Sequence, residues 1–191
     1  MQQRSDQSDQ ELIAAIARRD TAALKQLYLD YLPRLRLFLV RVGCRDHEID
    51  EVCNEAFFVV WQKAAAFRGD SRVATWVFGI ARNKALKAIA RRQESASRQA
   101  HVEPDTLSMQ GLPAIKRHEL RQWLDVGLGL LPPEQQQVLE LAFIDGFSCA
   151  EIASVMGCPE NTVKTRMFHA RRKLRELLPA EIQPRSPRIP L

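Results

Sequence analysis

The chain has no run of about 18 apolar residues, so no segment of it reads as a membrane-spanning helix. Its start, MQQRSDQSDQ, is polar and lacks the apolar stretch of a secretion signal, and a soluble, cytoplasmic protein is expected. Cysteine is scarce: Cys44, Cys53, Cys149 and Cys158 form no CxxC motif, which leaves free thiols as their simplest state in an intracellular chain. Cys44, His47 and Cys53 could offer three zinc ligands, but no CxxC pair completes a site and no metal is expected. His47, His101, His118 and His169 are scattered. With no Gly-rich phosphate loop, no HExxH and no nucleophile beside a base, nothing points to catalysis, a cofactor or a small-molecule substrate. Aromatic residues make up only 7% and there is no internal repeat. The ten prolines fall mostly in two places, which suits helical modules with a linker better than a β-sandwich.

What is present is globular in amount and polarised in charge. The chain is 46% hydrophobic over 191 residues, room for one or two small domains. A net charge of +5 is compatible with a polyanionic partner without proving one. Its distribution says more. Residues 68–98 hold the bases Arg68, Arg72, Arg82, Lys84, Lys87, Arg91, Arg92 and Arg98 against only Asp70 and Glu94. Residues 46–55 hold five acids and no Lys or Arg. One surface suits nucleic acid and another suits a basic protein.

The most informative stretch is 148–178. Ser148 followed three residues on by Glu151 is a capping box, in which each side chain satisfies an orphan N–H of the first helical turn. Ile152, Val155 and Met156 share one side of the short helix that follows, and Ala153 leaves space for a close neighbour. Gly157 permits a chain reversal, and Pro159 is expected in the first turn of the next helix. There Val163, Met167, Ala170, Leu174 and Leu177 recur at steps of three and four, a single buried face. The remaining surface carries Lys164, Arg166, Arg171, Arg172, Lys173 and Arg175. A small helix behind a basic amphipathic one is the helix-turn-helix arrangement, whose second helix enters the DNA major groove.

Upstream, Ser8 and Glu11 predict a capping box opening a short helix, and Asp20 caps the next, which Pro33 should kink or split and Gly43 ends. Asp46 is the expected cap of a third helix buried through Ile49, Val52, Ala56, Val59 and Val60. Its exposed band of Asp50, Glu51, Asn54 and Glu55 reads, on composition, as a solvated face. Phe67–Ser71 is a loop, with Asp70 or Ser71 capping a fourth helix that buries Val73, Val77, Ile80 and Ile89. That helix shows Trp76, Arg82, Asn83, Lys84, Lys87, Arg91 and Arg92: rings for stacking on bases, cations for phosphates. The pattern lapses over 93–113, read as a flexible linker. Ile115, Leu120, Trp123, Leu124, Leu128 and Leu131 resume it, and Pro132-Pro133 stops one helix and starts another that Gly146 closes. The Pro-rich 179–191 is expected to be disordered.

Two separated blocks resemble one known family. LYLDYLPRL, IDEVCNEAFFVVW, FRGDSRVATWVFGIARN and ARR resemble region 2 of an extracytoplasmic-function (ECF) sigma factor. LPPEQQQVLELAFIDGFSCAEIASVMGCPENTVKTRMFHARRKL resembles its region 4. The resemblance implies an all-α chain of two small helical domains: region 2 over 1–92, a linker over 93–113 and region 4 over 114–178. It implies a subunit of bacterial core RNA polymerase that directs it to promoter DNA, and no enzyme by itself. By the same resemblance Asp50, Glu51, Asn54 and Glu55 meet the clamp helices of the β′ subunit, against the reading from composition. Phe67, Arg68, Gly69, Asp70 and Ser71, with Trp76 and Asn83, would capture a flipped base of the −10 element. Lys164, Thr165, Arg166, Phe168, His169 and Arg171 would read the −35 element while region 4 also binds the β flap. Asn54 stands where Gln is usual, Val73 where Phe is frequent and His169 where Arg is usual. A separate anti-sigma factor, often anchored at the inner membrane in this family, is expected to restrain it. The alternative from the residues alone is a DNA-binding regulator, using 148–178 for a duplex operator and the N-terminal helices to sense or dimerise.

Overall fold

The structure, a computed structural model, describes residues 2–98 and 127–177, which are helical with no strand among them. The first module is α1 (Gln2–Ala17), α2 (Thr21–Val42), α3 (Asp46–Lys63) with a 3-10 turn at Ala64–Ala66, and α4 (Val73–Arg98). The second is α5 (Pro133–Phe143), α6 (Cys149–Met156) and α7 (Glu160–Leu177). The linker beyond Arg98, the helix expected around Ile115, Leu120, Trp123 and Leu124, and the tail at 179–191 lie outside the described residues.

Local chemistry explains most helix ends. The Asp20 carboxylate accepts from the N–H groups of Ala22 (2.8 Å) and Ala23 (3.1 Å), capping α2. Gly43, at φ 106°, closes it by donating its N–H to the carbonyls of Leu39 and Val40. Pro132 precedes α5 and Pro133 opens it.

Other ends differ from expectation. Ser8 and Glu11 lie inside α1, which begins at Gln2; its register is held by Tyr31, whose hydroxyl donates to buried Asp9 at 2.6 Å. Helix α2 runs through Pro33 unbroken, because Pro33 faces solvent, where water can take the bond its ring denies to a carbonyl. Asp46 is the first residue of α3, not its cap; the terminus is satisfied by Glu48, which accepts the Arg45 N–H at 2.8 Å. Helix α4 starts at Val73, so Arg72 and not Ser71 or Asp70 precedes its first residue, and the Ser71 hydroxyl donates to the Arg72 carbonyl. It also extends through Gln93–Arg98, since adding residues to an established helix costs little. Pro159 sits just before α7, its carbonyl accepting from Thr162 and Val163.

The two modules are docked. One apolar cluster runs from Leu27, Phe38, Val60 and Phe78 of the first into Leu141, Phe147, Ile152 and Val163 of the second. Helix α4 lies at its centre, against α3 on one side and α6 on the other, while α5 packs on α2. Phe78, fully buried, meets Phe147 edge-on at 5.3 Å between ring centroids, and also contacts Tyr31 and Phe38. Around this apolar contact stand charged pairs. Arg34 donates to Asp145 at 2.7 Å, and Arg72 grips Glu151. Gln137 donates to the Arg41 carbonyl at 3.2 Å.

Glu140 is the weak point of this seam. Arg41 approaches it only to 3.6 Å, and its second carboxylate oxygen is buried without a partner. Burial, opposed in part by Arg41 and reinforced by Asp145, raises its pKa to about 7. The folded value lies above the ordinary 4.5. Its contribution to stability is therefore full below about pH 4.5 and is lost as pH rises through about 7. Glu140→Gln is expected to leave the melting temperature unchanged near pH 4.5 and raise it by roughly 4 °C at pH 8. Calorimetry at the two pH values checks this.

Candidate nucleic-acid and partner-protein interfaces

Helices α6 and α7 form the helix-turn-helix unit. The Ser148 hydroxyl accepts the Glu151 N–H at 3.3 Å, and Glu151 accepts the Ser148 N–H at 2.8 Å. Gly157 turns the chain at φ 63°. Val163 and Ala170 are fully buried, with Met167 and Leu174 half-buried beside them. This packing leaves Lys164, Thr165, Phe168 and Arg171 together on the open face of α7. Phe168, 63% exposed, is the aromatic ring on that face. Lys164 is paired with Glu160 at 2.8 Å, which pushes its pKa above the ordinary value, and the Thr165 hydroxyl donates to the Asn161 carbonyl. Arg171 lies over the ring of exposed Phe143, and half-buried His169 meets Phe168 edge-on. Arg166 stands apart from the others: it turns inward, 3.9 Å from Glu134 and donating towards the Cys158 sulfur.

The second candidate site is the loop before α4. Phe67 packs against half-buried Trp76, centroids 4.9 Å apart, and Asn83 is exposed two turns further along the same face. Gly69 is left-handed at φ 76° with open space around it, and Arg68 pairs with Asp70 at 3.0 Å on the surface. Gly69, Asp70 and Ser71 form one wall of a cleft of about 480 Å³, with Ala150, Glu151 and Ser154 of α6 opposite. The next stripe of α4, through Arg72, Thr75 and Arg82, faces the second module. Arg82 has a buried Nε without a partner; burial lowers its pKa, and Arg166 adds to that.

The acidic band of α3 is partly neutralised from within. Asp50 is paired with Arg36, and Glu55 with Lys84 at 2.9 Å. Glu51 is exposed, and Asn54 accepts from the Tyr28 hydroxyl at 3.2 Å. Beside the band lies a groove of about 520 Å³ lined by Leu24, Tyr28, Phe57, Phe58 and Trp61. Phe58, 60% exposed, was not among the expected site residues. Its signal in the sequence is an aromatic standing off the buried stripe of Val52, Ala56 and Val60. Cys44 and Cys53 are buried, and burial pushes both thiols up to about 11. Among the described residues no group of three His, Cys, Asp or Glu is arranged to hold a metal ion, and no helix is long and apolar enough to cross a membrane.

Comparison with known proteins matches the two modules separately. The family model for Sigma-70 region 2 covers residues 27–95, and that for Sigma-70, region 4 covers residues 121–174. The RNA polymerase sigma-H factor of Pseudomonas aeruginosa is 29% identical over 184 residues, 91% of this chain and 95% of that one. The ECF RNA polymerase sigma-E factor of Escherichia coli K12 is 30% identical over 190 residues, 93% of this chain and 95% of that one. CnrH, solved in complex with the cytosolic domain of CnrY, aligns with a TM-score of 0.61 at 25% identity over 89% of this chain and 96% of that one. The sigma factor RpoE of Bartonella quintana, solved with the anti-sigma factor NepR, shares the fold with a TM-score of 0.61 at 24% identity over 80% of this chain and 94% of that one.

One prediction concerns the cap on which the helix-turn-helix depends. Ser148→Ala removes an acceptor of the first turn of α6 and is expected to cost about 1 kcal/mol, read as a lower urea midpoint at unchanged slope.

Proposed function

The chain belongs to the ECF branch of the sigma-70 family of transcription initiation factors, and from that premise we propose how its surfaces divide the work. It joins core RNA polymerase and carries it to promoters, acting without catalysis of its own. The observation that supports this reading is the presence, on one chain, of two different surfaces whose chemistry suits nucleic acid. One is a basic helix with Lys164, Thr165, Phe168 and Arg171 outward; the other is a loop-and-ring site at Phe67–Ser71, Trp76 and Asn83.

The first suits duplex DNA. Lys164 can donate to guanine O6 and N7 in the major groove of the −35 element, Thr165 to a base edge or phosphate, and Arg171 to phosphate. Arg166, turned from the open face, supports this surface from its flank, and half-buried His169 borders it beside Phe168. The second suits a strand that is coming apart: an extruded −10 base gains stacking and hydrogen bonds that offset lost pairing. Glu51, Asn54 and Phe58 offer the β′ clamp an exposed acid, an amide and a ring, with Asp50 and Glu55 available by exchanging Arg36 and Lys84. Exposed Phe143 and Ile144 are candidates for the β flap. Strand capture by the loop is expected to separate the modules, since docking sets Ala150, Glu151 and Ser154 of α6 across the cleft from Gly69, Asp70 and Ser71. A cytoplasmic location follows from the partner, and a separate anti-sigma factor restrains the chain; proteins sharing this fold have been solved with such a factor bound.

The deciding experiment is transcription in vitro with purified core polymerase over a promoter library, with promoter-specific starts as the expected result. Stable duplex binding by the chain alone, without any effect on initiation, would favour an operator-binding regulator. Asn83→Ala should weaken promoter opening about tenfold while leaving closed-complex binding within about twofold; equal losses would remove Asn83 from the strand site. Lys164→Ala should blunt discrimination at one −35 position by about 1–3 kcal/mol. A uniform loss across sequences would make Lys164 a phosphate contact.

A further inference from the structure

Arg72 is on neither of the two nucleic-acid surfaces proposed above, yet among the described residues it is the most elaborately held cation. Its Nε and one terminal nitrogen both donate to the Glu151 carboxylate, the latter at 2.7 Å. It also donates to the Gly146 carbonyl at 3.4 Å, and its guanidinium lies 5.0 Å from the centre of the Phe147 ring. Thr75 donates to the same Glu151 at 3.3 Å. Every one of these partners except Thr75 belongs to the other module. Arg72 itself follows directly on the loop Phe67–Ser71 and lines the cleft that opens beside it.

We propose that Arg72 is a phosphate ligand for the strand captured by that loop, and that Glu151 stands in for the phosphate while the modules are docked. Two parallel donors of a planar guanidinium fit a carboxylate and a phosphate in the same way. Both side chains keep about a quarter of their surface in water (25% and 21%), so one anion can replace the other without passing through a dry state. Glu151 is not stranded by the exchange. Burial opposes its charge, but Arg72 and the bonds of the capping box hold its pKa at about 2. The bonds with Ser148 remain when Arg72 leaves. What the exchange does cost is the cover on Phe147, which is why strand capture and separation of the modules oppose docking together.

The inference rests on the strand-capture reading of the loop, and the test keeps the two apart. The probe is a fluorescent 12-nucleotide single strand of mixed sequence, titrated with the full-length chain at several salt concentrations. Glu151→Gln keeps an acceptor for the Ser148 N–H while discharging the stand-in. It is expected to bind the strand about fivefold more tightly at 0.1 M salt, with a salt slope steeper by about 0.7, one further phosphate contact. Adding Arg72→Ala to that variant should abolish both gains. An unchanged affinity in Glu151→Gln, or a gain that survives loss of Arg72, overturns the proposal. Arg34→Gln loosens the seam at Asp145, away from the α6 cap, and supplies the same comparison should Glu151→Gln fail to fold. Asn83→Ala with the same probe tests strand capture by itself: if it binds like the unaltered chain while the Arg72 comparison holds, the loop reading falls and the phosphate ligand stands.

Discussion

Phe78 is the side chain through which the molecule is joined. From the second turn of α4 it touches Tyr31 and Phe38 of α2 and Phe147 just before α6, with Arg34 lying 5.4 Å from its ring centre. An aromatic ring buries some 150–250 Å², and one placed where three segments converge makes a single core of two modules. The charged pairs then decide the geometry of that join. Arg72–Glu151 lies on its rim, partly in water, where an ion pair adds direction more than stability, whereas Arg34 reaches a buried Asp145, a pair costly to break from one side. A seam of this kind is firm enough to define one arrangement and wet enough to be exchanged for another.

The same division runs through the surfaces. The chain spends many of its charges on itself: Asp50 on Arg36, Glu55 on Lys84, Lys164 on Glu160, Arg68 on Asp70. These pairs are exposed, or half-buried for Glu55–Lys84, so each can trade its partner for a phosphate or a foreign side chain at modest cost. What stays unspent is apolar and outward: Phe58 beside the acidic band, Phe143 and Ile144 at the end of α5, Phe168 on α7. Phe58 lines the groove beside the acidic band, and Arg171 lies over Phe143.

Much of this was legible in the sequence, for reasons that are local. Asp20, Gly43, Pro132-Pro133, the Ser148–Glu151 box and Gly157 act within a few residues, so a one-dimensional reading reaches them. The buried stripe of α7 followed from its period. Helix α4 was read less well, with Ile80 and Ile89 half-buried and Phe78, Ala74, Ala81 and Ala85 missed. That helix is covered from two sides, and a helix packed on two faces blurs its own periodicity. Pro33 misled because a backbone rule was applied without knowing which way the residue faces. The partners of Arg72 could not have been found from spacing, and Phe58 shows there only as an aromatic off the buried stripe of α3. The partners of Arg72 lie 74 and 79 residues away in the chain, and the exposure of Phe58 is a property of how α2 and α3 meet.

Two modules that share one core in the free chain are expected to give it up to hold a promoter within polymerase. The most direct measurement is the distance between spin labels at exposed Gln62 of α3 and Arg172 of α7, taken by pulsed dipolar spectroscopy on the full chain. The account predicts one narrow distance for the free chain, replaced by a single longer one when core polymerase and promoter DNA are added. A broad distribution in the free chain, or the same narrow distance in the assembled complex, would contradict it.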